Sequence, residues 1–133
     1  MLLSTYDAKD TSIVVDGTYI TGLGEDMISV EKEEDFFTPS VGAQGDVVKS
    51  QINNSLGTIS IFVQPTSPSK AFLLGLAKRI DPFPIWVVNK KLGERMGGTM
   101  ANLKSFPEIA RGAEAEDMEF VFQIFDLNVE TSA

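Results

Sequence analysis

The stretch Gly57-Thr58-Ile59-Ser60-Ile61-Phe62-Val63-Gln64 places Ile59, Ile61 and Val63 on one side of an extended chain, the two-residue period of a strand with one face in a core. Pro65-Thr66-Ser67-Pro68 then stops the strand. Ser67 carries the side chain of an N-cap, and Pro68 suits the first helical position, where its missing N–H costs nothing. A helix is expected from about Pro68 to Ile80, with Phe72, Leu73, Leu76, Ala77 and Ile80 on one stripe at three- and four-residue spacing. Lys78 and Arg79 fall in its last turn, where cations complement the helix dipole. The helix is expected to cover one face of the sheet and to end before Asp81-Pro82.

Working outward, Ser12 to Ile20 reads Ser-Ile-Val-Val-Asp-Gly-Thr-Tyr-Ile. Asp16-Gly17 supplies the two positive-φ positions of a type I′ turn, so a tight hairpin is expected. Met27 to Lys32 alternates Ile28 and Val30 with Ser29 and Glu31, a half-buried strand. From Glu33 to Gly45 the chain carries Glu33-Glu34-Asp35, Phe36-Phe37, Pro39, Gly42 and Gly45. That is too broken for a core strand and too aromatic for an idle loop. After Asp46 the chain resumes with Val47-Val48, before a polar turn at Asn53-Asn54-Ser55. Beyond the helix, Pro84 to Asn89 is apolar on both faces, as a covered central strand is, and Trp86 within it is expected in the core. Lys90 to Gly98 reads as a turn-rich connection, followed by strands at Thr99 to Lys104 and Glu116 to Leu127. The last sets Met118, Phe120, Phe122 and Ile124 on one face and Val121 and Phe125 on the other. Short strands with Gly and Pro punctuation and one helix predict a mainly β fold: an antiparallel β-sandwich or partly closed barrel flanked by one α-helix.

Composition narrows the function. A chain of 133 residues is the size of one domain, expected to span residues 1–133. With 43% hydrophobic residues and a mean hydropathy of +0.04, it can bury a core, which excludes wholesale disorder. Eleven Lys and Arg against 19 Asp and Glu give a net charge of −8, the wrong sign for a surface that grips nucleic acid through its phosphates. There is no cysteine and no histidine, which removes disulfides, thiolate or imidazole metal ligands, cysteine nucleophiles and the usual neutral-pH proton shuttle. The amino-terminal Met1-Leu2-Leu3-Ser4-Thr5-Tyr6-Asp7 has no basic segment and only three apolar residues, so no secretory signal is expected. No run reaches the roughly 18 to 20 apolar residues of a membrane helix, and no membrane association is expected.

Few motifs carry chemistry. Gly22-Leu23-Gly24 and Gly97-Gly98 lack the spacing of a phosphate loop and read as turn glycines. Glu31, Glu33, Glu34 and Asp35 lack the alternating ligands and glycine of a calcium loop and read as a solvated face. No pair among the 19 acids is singled out for acid–base work. No cofactor, metal site or catalytic residue is expected. Trp86 with Tyr19 as a sugar-stacking platform leaves a carbohydrate-binding sandwich open as an alternative class, beside a small carboxylate hydrolase. Phe36-Phe37 stands in a segment with no core face, and adjacent exposed aromatics mark an interface; the competing reading folds one ring back over the sheet. Charge is uneven: residues 1–66 hold 10 acids and 3 bases, net −7, and residues 67–133 hold 9 acids and 8 bases, net −1. An asymmetric subunit suits directional assembly.

The ordered series Thr5-Tyr6-Asp7-Ala8-Lys9-Asp10, Val15-Asp16-Gly17, Ile20-Thr21-Gly22, Val30-Glu31-Lys32-Glu33-Glu34-Asp35 and Val41-Gly42-Ala43-Gln44-Gly45-Asp46 resembles the small tail tube proteins of contractile-tailed bacteriophages. The likeness continues through Leu56-Gly57-Thr58-Ile59, Gln64-Pro65-Thr66-Ser67-Pro68-Ser69, Phe83-Pro84-Ile85-Trp86-Val87, Gly97-Gly98-Thr99 and Glu119-Phe120 to Phe125-Asp126. It implies a structural virion protein rather than an enzyme. Six copies would form a ring, inner strands would close into a continuous barrel, and stacked rings would make the inner tube that conducts DNA into the host. It also implies that an extended hairpin or loop around residues 33–45 reaches the adjacent ring, with Phe36, Phe37, Pro39, Val41 and Gly42 as contact residues. The implied partners are further copies of the chain and tail sheath, baseplate and tail terminator proteins, with genomic DNA passing unbound. The implied location is the virion tail, assembled in the bacterial host cytoplasm. An acidic lumen would repel phosphate, and Asp7, Asp10, Glu25 and Asp26 are the candidate lumen acids. The inner tube of a phage-derived bacteriocin or contractile injection device shares every one of these features.

Overall fold

A computed structural model describes residues 3–131; Met1 and Leu2 of the amino-terminal stretch, and Ser132 and Ala133, lie outside the described residues. Ten strands are described: β1 (Thr11–Val15), β2 (Thr18–Tyr19), β3 (Leu23–Lys32), β4 (Phe37–Val41), β5 (Val47–Gln51), β6 (Gly57–Val63), β7 (Phe83–Asn89), β8 (Glu94–Leu103), β9 (Met118–Ile124) and β10 (Asn128–Thr131). One helix, α1 (Lys70–Gly75), runs into a single 3₁₀ turn at Leu76–Lys78. Eight strands make one sheet in the order β2-β1-β7-β8-β9-β6-β3, with β10 pairing beside β9 on β8; β4 and β5 pair only with each other. All pairings are antiparallel. The fold is mainly β, and the sheet stays open, with β2 and β3 as its edges, rather than closing into a barrel.

Alternation builds the core. β6, β7 and β9 bury every second residue, and Ile59, Ile61, Val63, Phe83, Ile85, Val87, Met118, Phe120, Phe122 and Ile124 meet Ile13 and Val15 of β1 in one cluster. The Phe83 and Phe122 rings, from the two strands that flank β8, meet edge to face at 6.1 Å. Leu73 of α1 and Leu76 of the 3₁₀ turn complete the cluster.

The helix is shorter than the apolar stripe predicts, for reasons visible at both ends. Ser67 Oγ donates to the Thr21 carbonyl at 2.5 Å and accepts from the Ser69 N–H at 3.2 Å. Residues 67 to 69 are thereby held as a turn against the chain entering β3, and helical geometry starts only after it. At the other end Arg79 is extended and its guanidinium pairs with Asp16 while lying 5.3 Å over the Phe83 ring. Ala77 is exposed, and Ile80, the last residue of the expected stripe, is 91% exposed.

Strand limits also move. β3 begins at Leu23 rather than Met27, because a bulge between Leu23 and Ile28 shifts its register on β6 and holds Met27 at φ 53°. β8 begins at Glu94, so Gly97-Gly98 is not a turn but part of a strand. There the backbones crowd: a Cβ on Gly97 would strike the Ile85 carbonyl oxygen, and one on Gly98 would meet Asp126 and Ile124. The final strand is two. Asp126 accepts hydrogen bonds from Thr99 Oγ1 (2.5 Å), Thr99 N (3.1 Å) and Met100 N (3.0 Å), which interrupts the ladder between β9 and β10 while both run antiparallel to β8. Burial pushes the Asp126 carboxyl up, but these hydrogen bonds outweigh it and hold it below the usual carboxylate range. The Asp16-Gly17 hairpin is as expected, with φ of 49° and 79° at the two turn residues.

Candidate functional site

The segment after β3 is a two-stranded hairpin that leaves the sheet. Phe37 pairs with Gln51, Pro39 with Lys49 and Val41 with Val47, so the ladder extends beyond residue 45 and takes in Val47-Val48, which are not part of the main sheet. The turn is closed by Gly42 N–H to the Asp46 carbonyl (2.8 Å) and Gly45 N–H to the Gly42 carbonyl (3.0 Å); Gly45 stands at φ 91°. At its base the Glu33 N–H bonds the Leu56 carbonyl at 3.2 Å, and the Glu33 carboxylate accepts from Thr58 Oγ1 at 3.3 Å and lies 3.9 Å from Lys104. All ten strand residues are exposed.

Cross-strand partners share a face, which gives this hairpin two unlike sides. Phe37, Pro39, Val41 and Val47 line one side with Lys49 and Gln51; Thr38, Ser40 and Ser50 line the other with Val48. Both aromatic rings of the pair are exposed, Phe36 at 72% and Phe37 at 45%, so neither folds back over the sheet. Each is topped by an ammonium: Lys32 lies 5.3 Å from the Phe36 centroid and Lys49 4.8 Å from that of Phe37. Phe36, Phe37, Pro39, Val41 and Gly42 are therefore brought onto one protruding element.

A second unpartnered surface lies on the outer side of β1, β2, β7 and β8. Register places Tyr19, Val14 and Trp86 in one row and Ser12, Val88 and Arg95 in the next. Trp86 is not in the core as its apolar neighbourhood suggests. It alternates outward against Ile85 and Val87, is half-buried, and is covered by the Arg95 guanidinium 3.7 Å above its ring. Arg95 in turn lies 3.9 Å from Glu130 on β10. Val14, Tyr19 and Val88 border a depression of about 470 Å³ together with Asp10, Ser12, Lys90 and Lys91. The two-sided apolar pattern of β7 carries this signal: Leu73 and Leu76 join the cluster with Ile85 and Val87, and the face that bears Trp86 and Val88 is only half-buried.

The candidate lumen acids come together in part. Asp7 caps the 3₁₀ turn Ala8–Asp10 by accepting from Lys9 N at 2.9 Å, and Glu25 and Asp26 are exposed on the β3 bulge. Ala8, Lys9, Gly24 and Met27 border one shallow depression, so these acids flank the same end of the sheet. Asp10 instead points to Lys91, 4.0 Å away. None of the four meets the hairpin aromatics. Among the described residues no three acids gather as a metal site, and no helix is long and apolar enough to cross a membrane.

A family model described as the Bacteriophage PhiTE tail tube protein matches residues 5–130. The fold is similar to three solved structures from contractile machines. These are the tube-terminating cap of an anti-feeding prophage (TM-score 0.69, 8% identity, 99% of this chain and 95% of that one), the sheath/tube terminator of an extracellular contractile injection system (0.67, 9%, 98% and 100%), and the sheath–tube complex of that system (0.67, 10%, 96% and 93%). No curated protein matches by sequence.

Proposed function

The chain belongs to the Bacteriophage PhiTE tail tube protein family, a family of structural tube proteins rather than enzymes, and from that premise we propose how it assembles and what it conducts. Its structural role in a tail tube follows from the family. Beyond that, six copies form a ring, rings stack into the inner tube of a virion tail inside the host cytoplasm, and genomic DNA travels through the lumen unbound. The observation that carries the reading is the family match over residues 5–130 in a chain whose β4–β5 hairpin pairs with no other strand among the described residues. An isolated two-stranded hairpin is marginal in water, so an exposed one with an apolar side belongs against another molecule. Here that molecule is the adjacent ring, with Phe36, Phe37, Pro39, Val41 and Gly42 in contact. Sheath, terminator and baseplate proteins are the further partners; the fold's likeness to sheath–tube and terminator structures supports the first two.

The acids Asp7, Asp10, Glu25 and Asp26 are proposed to face the lumen; Asp7, Glu25 and Asp26 have no ion-pair partner among the described residues, and Asp10 lies 4.0 Å from Lys91. Their repulsion acts over about 8 Å at physiological ionic strength, enough to keep DNA from adhering to a nearby wall. A bacteriocin or injection-device tube is the second reading, favoured by the machines in which the similar folds occur. Electron microscopy of the concentrated, purified protein tests the assembly: rings or hollow tubes are expected. A protein that stays monomeric at every concentration in analytical ultracentrifugation defeats it.

A further inference from the structure

The molecule carries two unpartnered apolar surfaces, and their charged borders are opposite. The hairpin side formed by Phe37, Pro39, Val41 and Val47 carries Lys49 folded over the Phe37 ring and rises from a base where Glu34 and Asp35 border the aromatic pair beside Lys32, two acids against one base at that end. The outer sheet side formed by Tyr19, Val14, Trp86 and Val88 is bordered by Lys90 and Lys91 beside Asp10, two bases against one acid. Lys90, Lys91 and Arg95 put three of the chain's eleven basic residues within six positions, on a protein of net charge −8. Among the described residues Lys90, Glu34 and Asp35 have no ion-pair partner.

We propose that the β4–β5 hairpin of one copy seats its Phe37–Val41 side on the Tyr19–Val14–Trp86–Val88 face of a second copy, with Glu34 and Asp35 opposite Lys90 and Lys91. This rests on the tube reading and names the acceptor surface that reading leaves blank. The contact joins two different patches, so each copy gives a hairpin and receives one. Such heterologous contacts propagate, closing into rings or running on as filaments. A five-residue arm reaches about 17 Å, far enough for the hairpin to lie across several strands of a neighbour. The apolar sides supply the attraction, and the charges set register and reject the reverse docking, which would bring like charges together. Arg95, lying on Trp86, keeps that ring partly covered until the hairpin arrives.

Charge reversal with rescue tests the pairing. The variant K90E/K91E and the variant E34K/D35K change exposed residues only, and each should keep the wild-type circular dichroism and melting temperature. Each should also raise the concentration needed for assembly at least tenfold by light scattering, and the four-residue combination should bring it back to within a few-fold of wild type. Reversals without effect on an assembling protein, or assembly lost in both and not restored in the combination, overturn the docking alone. A wild-type protein that never assembles overturns the tube reading and the docking with it.

Discussion

β6 and the β4–β5 hairpin are both rich in β-branched and aromatic residues, yet one is buried on alternate residues from end to end and the other is exposed at every position. Composition does not separate them. What differs is the neighbour. β6 lies between β3 and β9, and Ile59, Ile61 and Val63 enter one buried cluster with Phe83 and Ile85. Phe37, Val41 and Val47 are exposed, on strands that pair with no other strand among the described residues. Apolar side chains in the sheet hold the subunit together, whereas those in the hairpin leave its stability nearly untouched and are available to another molecule. Substitutions in the two regions should therefore act on different observables.

The largest effect on folding is expected at the centre of the sheet. Phe122→Ala removes a fully buried ring and its edge-to-face contact with Phe83, which should cost about 3–5 kcal/mol. Denaturant unfolding should show it as a lower midpoint at unchanged slope. Leu76→Ala comes next, at about 2–5 kcal/mol for a large-to-small change in the core, since Leu76 packs into the same cluster at 5% exposure. An unshifted melting temperature would mean that the 3₁₀ turn does not cover the sheet, and the contrast between a closed core and an open hairpin would weaken.

A smaller effect is expected at the edge of the core. The Asp126 carboxyl is held below its usual range by the Thr99 and Met100 donors, so a folded pKa below the unfolded value gives stability that is complete above the unfolded pKa of about 3.9. It is lost as pH falls through the folded pKa. Asp126→Asn should flatten that acid limb while lowering stability at neutral pH by less than Leu76→Ala does. Equal slopes for wild type and variant between pH 5 and pH 2 would mean that the Thr99 and Met100 contacts do not bind the charged form preferentially.

Elements set by short-range rules were legible in the sequence. Asp16-Gly17 needs only two positive-φ residues, and β6 and β9 need only period two. Where a distant partner decides, the residues read differently. Ser67 looks like a helix cap and does accept from the Ser69 N–H, but its hydroxyl also donates to Thr21, 46 residues away, which the local pattern does not show. Gly97-Gly98 looks like a turn because the Ile85 carbonyl and Asp126 that demand glycine there are not adjacent in sequence. The hairpin is legible as a segment without a core face, though its second arm lies beyond the expected limit at Gly45, because Val47-Val48 carries no sign of which strand it will pair with. Trp86 was misplaced for the same reason. Period two says that one side of β7 is covered, and only the packing of α1 decides which.

The smallest expected effect on the subunit is the most informative for the comparison. Phe36→Ser with Phe37→Ser removes two exposed rings that lie against Lys32 and Lys49, and exposed substitutions of this kind stay within about 0.5 kcal/mol. The melting curve and circular dichroism should superimpose on wild type. Assembly should not, because the same rings are the largest apolar groups the hairpin offers, and aromatic anchors carry a disproportionate share of interface energy. Sedimentation should then show subunits at concentrations where wild type forms rings or tubes. If the variant unfolds instead, the rings stabilise their own subunit, and the hairpin belongs with β6 on the core side of the comparison. Full assembly by a folded variant would move the contact off the aromatic pair and onto the rest of the apolar side, Pro39, Val41 and Val47, where the same substitution can be repeated one residue at a time.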